Sequence, residues 1–343
     1  MSGAAHVVDT RAASTPDRRG GVPRSPSCAL RDPPPPSARE LRDLPAPAKL
    51  NLFLHVVGRR DDGMHLLQSL FVLIDWCDTI HVARRDDGLL VRHDLGVKLP
   101  DDDLCLRAAR ALQAADSTSL GAEISIDKQV PWGAGLGGGS SDAATTLIAL
   151  NRLWGLGWPR ERLAALAATL GADVPFFIGG RSDFVEGVGE RLTPVVLEPR
   201  KFLVVKPSAP LSTADVFRHP AVVRDTARRG AADILRDFLA GGALRLDKPF
   251  DEGGVRNDLE AAAQALCPDV ARALEMLRHR SGQGRMSGSG SAVFAPLHDR
   301  PSEESGTSGS LSATEAARGP WPDGWTIRVC RSLDRHPLDA WLD

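Results

Sequence analysis

Tyrosine is absent from this 343-residue chain, so seven Trp and ten Phe supply all of its aromatic surface. Cysteine is scarce: Cys28, Cys77, Cys105, Cys267 and Cys330 are odd in number and include no CxxC pair. That pattern argues against a disulfide framework and against a zinc site, and it fits a reducing cytosol. A cytoplasmic protein is therefore expected. No apolar run approaches the ~20 residues that span a bilayer as a helix, and the first residues lack the apolar core of a secretory signal. Neither sign of charge dominates. The 42 Lys and Arg against 44 Asp and Glu leave a net charge of −2, so no global field favours nucleic acid or an anionic membrane.

The apolar fraction of 42% is ample for a sizeable core, and the length suits one large domain or two ordinary ones. Residues 1–45 read as a disordered extension. Pro33–Pro36 is a run of four prolines among Arg, Ser, Asp and Gly, with few apolar residues to offset chain entropy. The Arg/Ser bias is faintly that of an organelle transit peptide; a dispensable tail or an over-extended reading frame is the preferred reading.

Order is expected from about Pro47. Leu50, Leu52, Leu54 and Val56 alternate with Lys49, Asn51, Phe53 and His55, the period of a strand with one buried face. Ser69–Asp75, Thr79–Ala83 and Ala122–Asp127 read as further strands, and Leu104–Ala115 as a helix. A helix from about Ser140 to Trp154 follows a glycine loop, and Arg160–Leu170 is another. Lys201–Lys206 opens a second strand-bearing region with helices at about 230–240 and 259–277. A Gly/Ser turn at Ser287–Ser291 precedes the strand Ala292–Ala295, and the Ser/Glu/Gly-rich stretch 300–320 reads as a mobile insert.

The segment Pro131, Trp132, Gly133, Ala134, Gly135, Leu136, Gly137, Gly138, Gly139, Ser140 and Ser141 holds five glycines. Glycine lets a backbone turn tightly and approach a ligand with no Cβ in the way. Successive N–H groups then converge on one anion, and the following helix adds its positive end. The two serines can cap that helix or donate to phosphate oxygens. No Gly-Lys-Ser/Thr closes the loop, so it is not the common P-loop, and no acidic residue stands where a Rossmann fold needs one. A linker reading fails because the loop joins a strong strand to a strong helix.

This loop, followed by Asp142-Ala-Ala-Thr-Thr, resembles the second motif of the GHMP kinases. Four further segments narrow the resemblance: Pro47-Ala-Lys-Leu-Asn-Leu-Phe-Leu54, Gly63-Met-His65 with Leu67-Gln-Ser-Leu-Phe71, Leu170-Gly-Ala-Asp-Val-Pro-Phe-Phe177, and Glu186-Gly-Val-Gly-Glu190. Together they are similar to the 4-diphosphocytidyl-2-C-methyl-D-erythritol kinases of the non-mevalonate isoprenoid pathway. The resemblance runs from about Ala46 to Leu338 and leaves out the insert. It implies a two-lobed α+β fold, with an N-terminal lobe (46–197) like ribosomal protein S5 domain 2 and a ferredoxin-like C-terminal lobe (198–343). ATP and a small-molecule substrate would meet between the lobes, and the ATP γ-phosphate would pass to the 2-hydroxyl of the methylerythritol unit. Mg²⁺ is expected as the companion of ATP, with no protein metal site named. No nucleic acid or membrane partner is implied, and the chain is expected to be a monomer or weak homodimer.

The resemblance also assigns roles. Lys49 is similar to the family's catalytic lysine and Asp173 to its general base, although Asp173 before Val174-Pro175 also suits a helix N-cap. Asn51 and His65 would hold substrate, the latter at the cytosine. The family has tyrosine stacking on that base where this chain has Met64, whose thioether covers a π-face more weakly. Phe217 is the candidate opposite wall, with a core phenylalanine as the alternative. Met286–Ser291 resembles a second glycine turn that braces the phosphate loop. Leu104 is a candidate adenine contact, and Asp142 reads as a first-turn dipole partner rather than a metal ligand. Two other functions stay open: a GHMP kinase for homoserine or a mevalonate derivative, and a non-catalytic binder of the same fold.

Overall fold

Two strands of unusual length organise the first lobe. In the computed structural model, which describes residues 28–238, 254–297, 317 and 319–342, β1 (Glu40–Arg59) and β2 (His65–Arg85) pair antiparallel from Glu40 opposite Ala83 to Arg59 opposite His65. Gly63, at φ +88°, helps close the turn between them. The far edge of β2 is shared: β4 (Gly121–Asp127) takes its C-terminal end and β5 (Asp183–Gly187) its N-terminal end. β3 (Leu90–Asp94) joins β4 in parallel, and β6 (Arg191–Pro194) joins β5. The helices α1 (Leu104–Asp116), α2 (Gly138–Leu153), α3 (Arg160–Ala168) and α4 (Val174–Gly179) bury Cys105, Leu112, Leu147, Leu150, Leu163 and Phe176 in one cluster with Ile80, Val82 and Ile124 of the sheet.

The second lobe is a four-stranded antiparallel sheet in the order β10 (Thr326–Arg331), β7 (Lys201–Lys206), β9 (Val293–Leu297), β8 (Arg285–Met286). Its helices are α5 (Thr213–Arg218), α6 (Ala231–Phe238), α7 (Glu260–Leu266) and α8 (Pro268–Ser281). The single helix expected at 259–277 is two, because Pro268 cannot continue α7. Its φ suits the first turn of α8 instead.

The alternation along Lys49–Val57 marks a strand, but both of its faces are buried rather than one. Leu50 and Leu52 pack with Phe202 and Phe294 of the second sheet, while Lys49 and Asn51 on the other side are at most 3% exposed. The alternation also breaks. Between Asn51 opposite Phe71 and Leu54 opposite Ser69, two residues of β1 face one of β2. This bulge puts Leu52 and Phe53 in the same cluster.

Three expectations change. Order reaches back at least to residue 28, not 46: Leu41 and Leu44 are buried, Glu40–Pro45 pair with Thr79–Ala83, and Trp341 Nε1 donates to the carbonyls of Arg31 and Asp32. A segment with few apolar residues is held here by backbone pairing to an existing strand. Cys28 and Cys77 form a disulfide, against the reading that the cysteines stay reduced, because the chain enters alongside β2. Cys105, Cys267 and Cys330 are free and buried. The chain's end returns to the first lobe, where Leu338, Trp341 and Leu342 join the helical core. Residues 1–27 and nearly all of the 300–320 insert lie outside the described residues. Among the described residues no helix is long and apolar enough to cross a membrane.

Candidate active site

The glycine loop owes its shape to what crosses behind it. Gly133, Gly135 and Gly137 all have φ between +60° and +72°, a region costly for any side chain. At Gly135 a Cβ would fall 2.1 Å from the carbonyl oxygen of Ser287. The second glycine turn braces the loop through that contact: Ser287 Oγ donates to Gly135 O at 3.0 Å, Ser291 N to Gly133 O at 3.2 Å and Ala292 N to Ala134 O at 3.1 Å. Gly137, in the left-handed region, is the N-cap of α2 and presents no side-chain cap. The helix therefore starts earlier than expected, and Ser140 and Ser141 lie inside its first turn. The first-turn N–H groups keep free of serine caps, as an anion site requires.

Lys49 comes to this loop from β1. Its N–H donates to Leu136 O at 2.9 Å, and a Cβ at Gly137 would sit 3.1 Å from the lysine's Cε. Lys49 Nζ donates to Asn51 Oδ1, lies 4.5 Å from the centre of the Phe71 ring and stands 3.4 Å from Asp173 Oδ2. Asp173 holds the N-cap position of α4 but makes no side-chain capping bond. Its carboxylate is 31% exposed and faces the lysine. Asn51 is buried, its Nδ2 donating to Ser69 Oγ at 3.1 Å. An amide has four hydrogen-bonding positions, so two remain for a ligand.

At the other end lies the hairpin turn. His65 stacks on Phe217 of α5 with ring centres 4.9 Å apart, leaving no room for a base between those two rings. Burial, then Arg224 and Arg59, lower the His65 pKa, so the imidazole is neutral at pH 7 and offers one donor and one acceptor. Met64 is half exposed at the rim. Arg224 ties the surrounding loop by donating to the carbonyls of Phe217, His219 and Val222.

These groups line one cleft of about 1370 Å³. It includes Lys49, Asn51, Met64, His65, Asp173, Phe217, Leu104 and all of Pro131–Ser140. Ser141 is left out, being fully buried with its Oγ unpartnered among the described residues. Asp103 caps α1, accepting from Leu106 N at 3.1 Å and pairing with Arg92 at 2.9 Å.

Asp142 departs from its expected role. Its carboxylate accepts from Lys128 Nζ at 2.5 Å, and the same ammonium pairs with Asp78. Burial alone would lower the Lys128 pKa, but Asp142 and Asp78 outweigh it and keep the ammonium charged. Burial pushes the Asp142 carboxyl well above the usual range. Sequence reading missed this trio. The available signal was a charged Asp78 inside a long apolar strand and a lysine at the strand end that enters the glycine loop.

Known proteins resemble this chain over most of its length. The profile for "GHMP kinases N terminal domain" matches residues 103–181, and that for "GHMP kinases C terminal" matches 234–306. The chain is 56% identical over 305 residues to the 4-diphosphocytidyl-2-C-methyl-D-erythritol kinase of Methylibium petroleiphilum, covering 89% of this chain and 99% of that one. It is 52% identical to the enzyme of the same name from Verminephrobacter eiseniae, covering 88% and 97%. A crystal structure of a 4-(cytidine 5'-diphospho)-2C-methyl-D-erythritol kinase superposes with a TM-score of 0.64 at 34% identity, over 85% of this chain and 98% of that one.

Proposed function

This chain belongs to the 4-diphosphocytidyl-2-C-methyl-D-erythritol kinases, a branch of the GHMP kinases, and from that membership we propose how its cleft performs the reaction. ATP is the phosphoryl donor and the acceptor is the 2-hydroxyl of the cytidyl-linked methylerythritol, a step in the non-mevalonate isoprenoid pathway. We take the lobes as about 46–197 and 198–343, except that residues 28–45 and the tail from Leu338 join the first.

The observation that carries the reading is the Lys49–Asp173 pair beside the glycine loop. Asp173, reachable and uncommitted to its helix, takes the proton of the attacking hydroxyl. Lys49, buried against Asn51, Phe71 and Gly137, can hardly move. It steadies charge on the transferring group. The N–H groups of Pro131–Ser141 and the start of α2 hold the polyphosphate, and most of the rate gain comes from positioning and charge neutralisation. Asn51 orients the acceptor. His65, Met64 and Phe217 receive the cytosine.

Mg²⁺ arrives with ATP. Among the described residues no group of three or more His, Cys, Asp or Glu is arranged to hold a metal. When bound it would neutralise part of the polyphosphate charge. We read the chain as a monomer or weak homodimer; a cytoplasmic placement no longer has reduced cysteines to rest on, given the Cys28–Cys77 bridge.

The test is direct. Purified protein with ATP, Mg²⁺ and the cytidyl substrate should release ADP, and Asp173→Asn should abolish the release. Activity on homoserine or mevalonate with silence on the cytidyl substrate would sink the assignment.

A further inference from the structure

We propose that Lys128 is a positioning residue for phosphoryl transfer, a buried cationic clamp that holds both ends of the glycine loop and cancels carboxylate charge beneath it. The inference rests on the reading of Pro131–Ser141 as the ATP-holding loop.

Three chain segments converge on this one ammonium. Asp78 belongs to β2 and is fully buried. Its Oδ1 accepts from Gln129 N at 2.6 Å and Val130 N at 2.7 Å, fixing the two residues that lead into the loop. Its Oδ2 lies 3.4 Å from where a Cβ on Gly138 would stand. Asp142, the fifth residue of α2, is 3% exposed. Lys128 Nζ bridges the two carboxylates, so the entry to the loop and the helix it ends in hang on the same charge. A loop with five glycines has few side chains to pack, so its ends must impose its shape.

The charge count adds a second role. Lys128 and Asp142 line the same cleft as the loop. Without the ammonium, Asp78 and Asp142 would be left buried without their cation beside the site of a polyanion, where any charge they keep is weakly screened. Asp142 Oδ1 has no hydrogen-bond partner among the described residues, so the carboxylate has no other donor to fall back on. Removing one partner of such a pair exposes the full cost of the other.

The assay is steady-state kinetics with each substrate varied in turn. Lys128→Met should raise the KM for ATP by about tenfold to a hundredfold, the range for a misplacement imposed from outside the reacting atoms. The KM for the cytidyl substrate should stay within about twofold, because its end of the cleft does not touch the clamp. Lys128→Met combined with Asp142→Asn should recover most of the ATP KM, since the stranded charge is gone while Asp78 keeps its two backbone donors. A merely structural role would not be rescued by removing a second group. Equal rises in both KM values, an unmoved ATP KM, or no recovery in the double variant would each overturn the clamp. If Lys128→Met does not fold, the double variant carries the test. ATP binding in it as weak as in the loop variant Gly137→Val would count against the proposal. An unchanged ATP KM in Gly137→Val would instead overturn the loop assignment itself.

Discussion

Asp173 heads α4 without capping it, and its carboxylate instead faces Lys49 Nζ at 3.4 Å. The lysine is almost wholly buried and the aspartate a third exposed. A fixed cation beside a reachable base is the arrangement that hydroxyl activation needs. Asp173→Asn should lower kcat by about a hundredfold to ten-thousandfold, the usual contribution of a general base, with both KM values nearly unchanged. A variant retaining more than a tenth of wild-type kcat would remove Asp173 from the chemistry.

Gly135 cannot carry a side chain. At φ +71° and 2.1 Å from the Ser287 carbonyl, the Cβ of Gly135→Ala would force the two glycine turns apart. The left-handed conformation alone costs about 1–2 kcal/mol. The expected result is a lower Tm together with a raised ATP KM. Ser287→Ala, which loses only the hydroxyl bonds to Gly135 O and Asn51 N, should show the same pattern more mildly. Calorimetry and initial-rate kinetics on the two variants separate the effects.

Phe217 and Met64 should report on the cytosine. A base stacked on an aromatic ring gains about 1–3 kcal/mol, so Phe217→Ala should raise the KM for the cytidyl substrate by roughly tenfold or more. Met64→Tyr restores a rigid ring and should lower that KM. An unaltered value in Met64→Tyr would show that the rim position does not touch the base.

Two sets of buried groups should give stability opposing pH dependences on the acid side of neutrality. Burial pushes Asp183 up to about 7, against about 4 in the unfolded chain. Between those values the folded protein keeps a proton that the unfolded chain has released, so stability drops as pH rises from about 4 to 7. Asp183→Asn should therefore match wild type at pH 4 and melt higher at pH 8. Burial, aided by neighbouring arginines, lowers His55 and His336 to about 3, against about 6.5 unfolded. Their contribution runs the other way and is lost as pH falls below about 6.5. Thermal melts from pH 4 to 8 test both limbs.

Much of the molecule was legible in one dimension because its determinants are local. A strand end, five glycines and a helical apolar pattern specify an anion-binding turn without reference to anything distant. Lys49 and Asn51 could be placed on one face because they precede the bulge at Leu52–Phe53. The alternation became unreliable after it, where β2 rather than β1 dictates register. The resemblance of five short segments to a known family then supplied roles that spacing could not.

What remained needed the third dimension. Whether Asp173 caps α4 or faces a lysine depends on how β1 and α4 meet, and no local rule contains that. The ordering of residues 28–45, the return of Trp341 to the first lobe and the Cys28–Cys77 bridge depend on pairing with strands far along the chain. The Lys128 clamp is the clearest case: its charges come from β2, a strand end and a helix turn. Each reads alone as a solvated or dipole-facing residue, and only burial together makes them a unit. The sequence by itself determined the loop, the family and the chemistry of the groups; tertiary packing decided which of those groups are buried, paired and held facing one another.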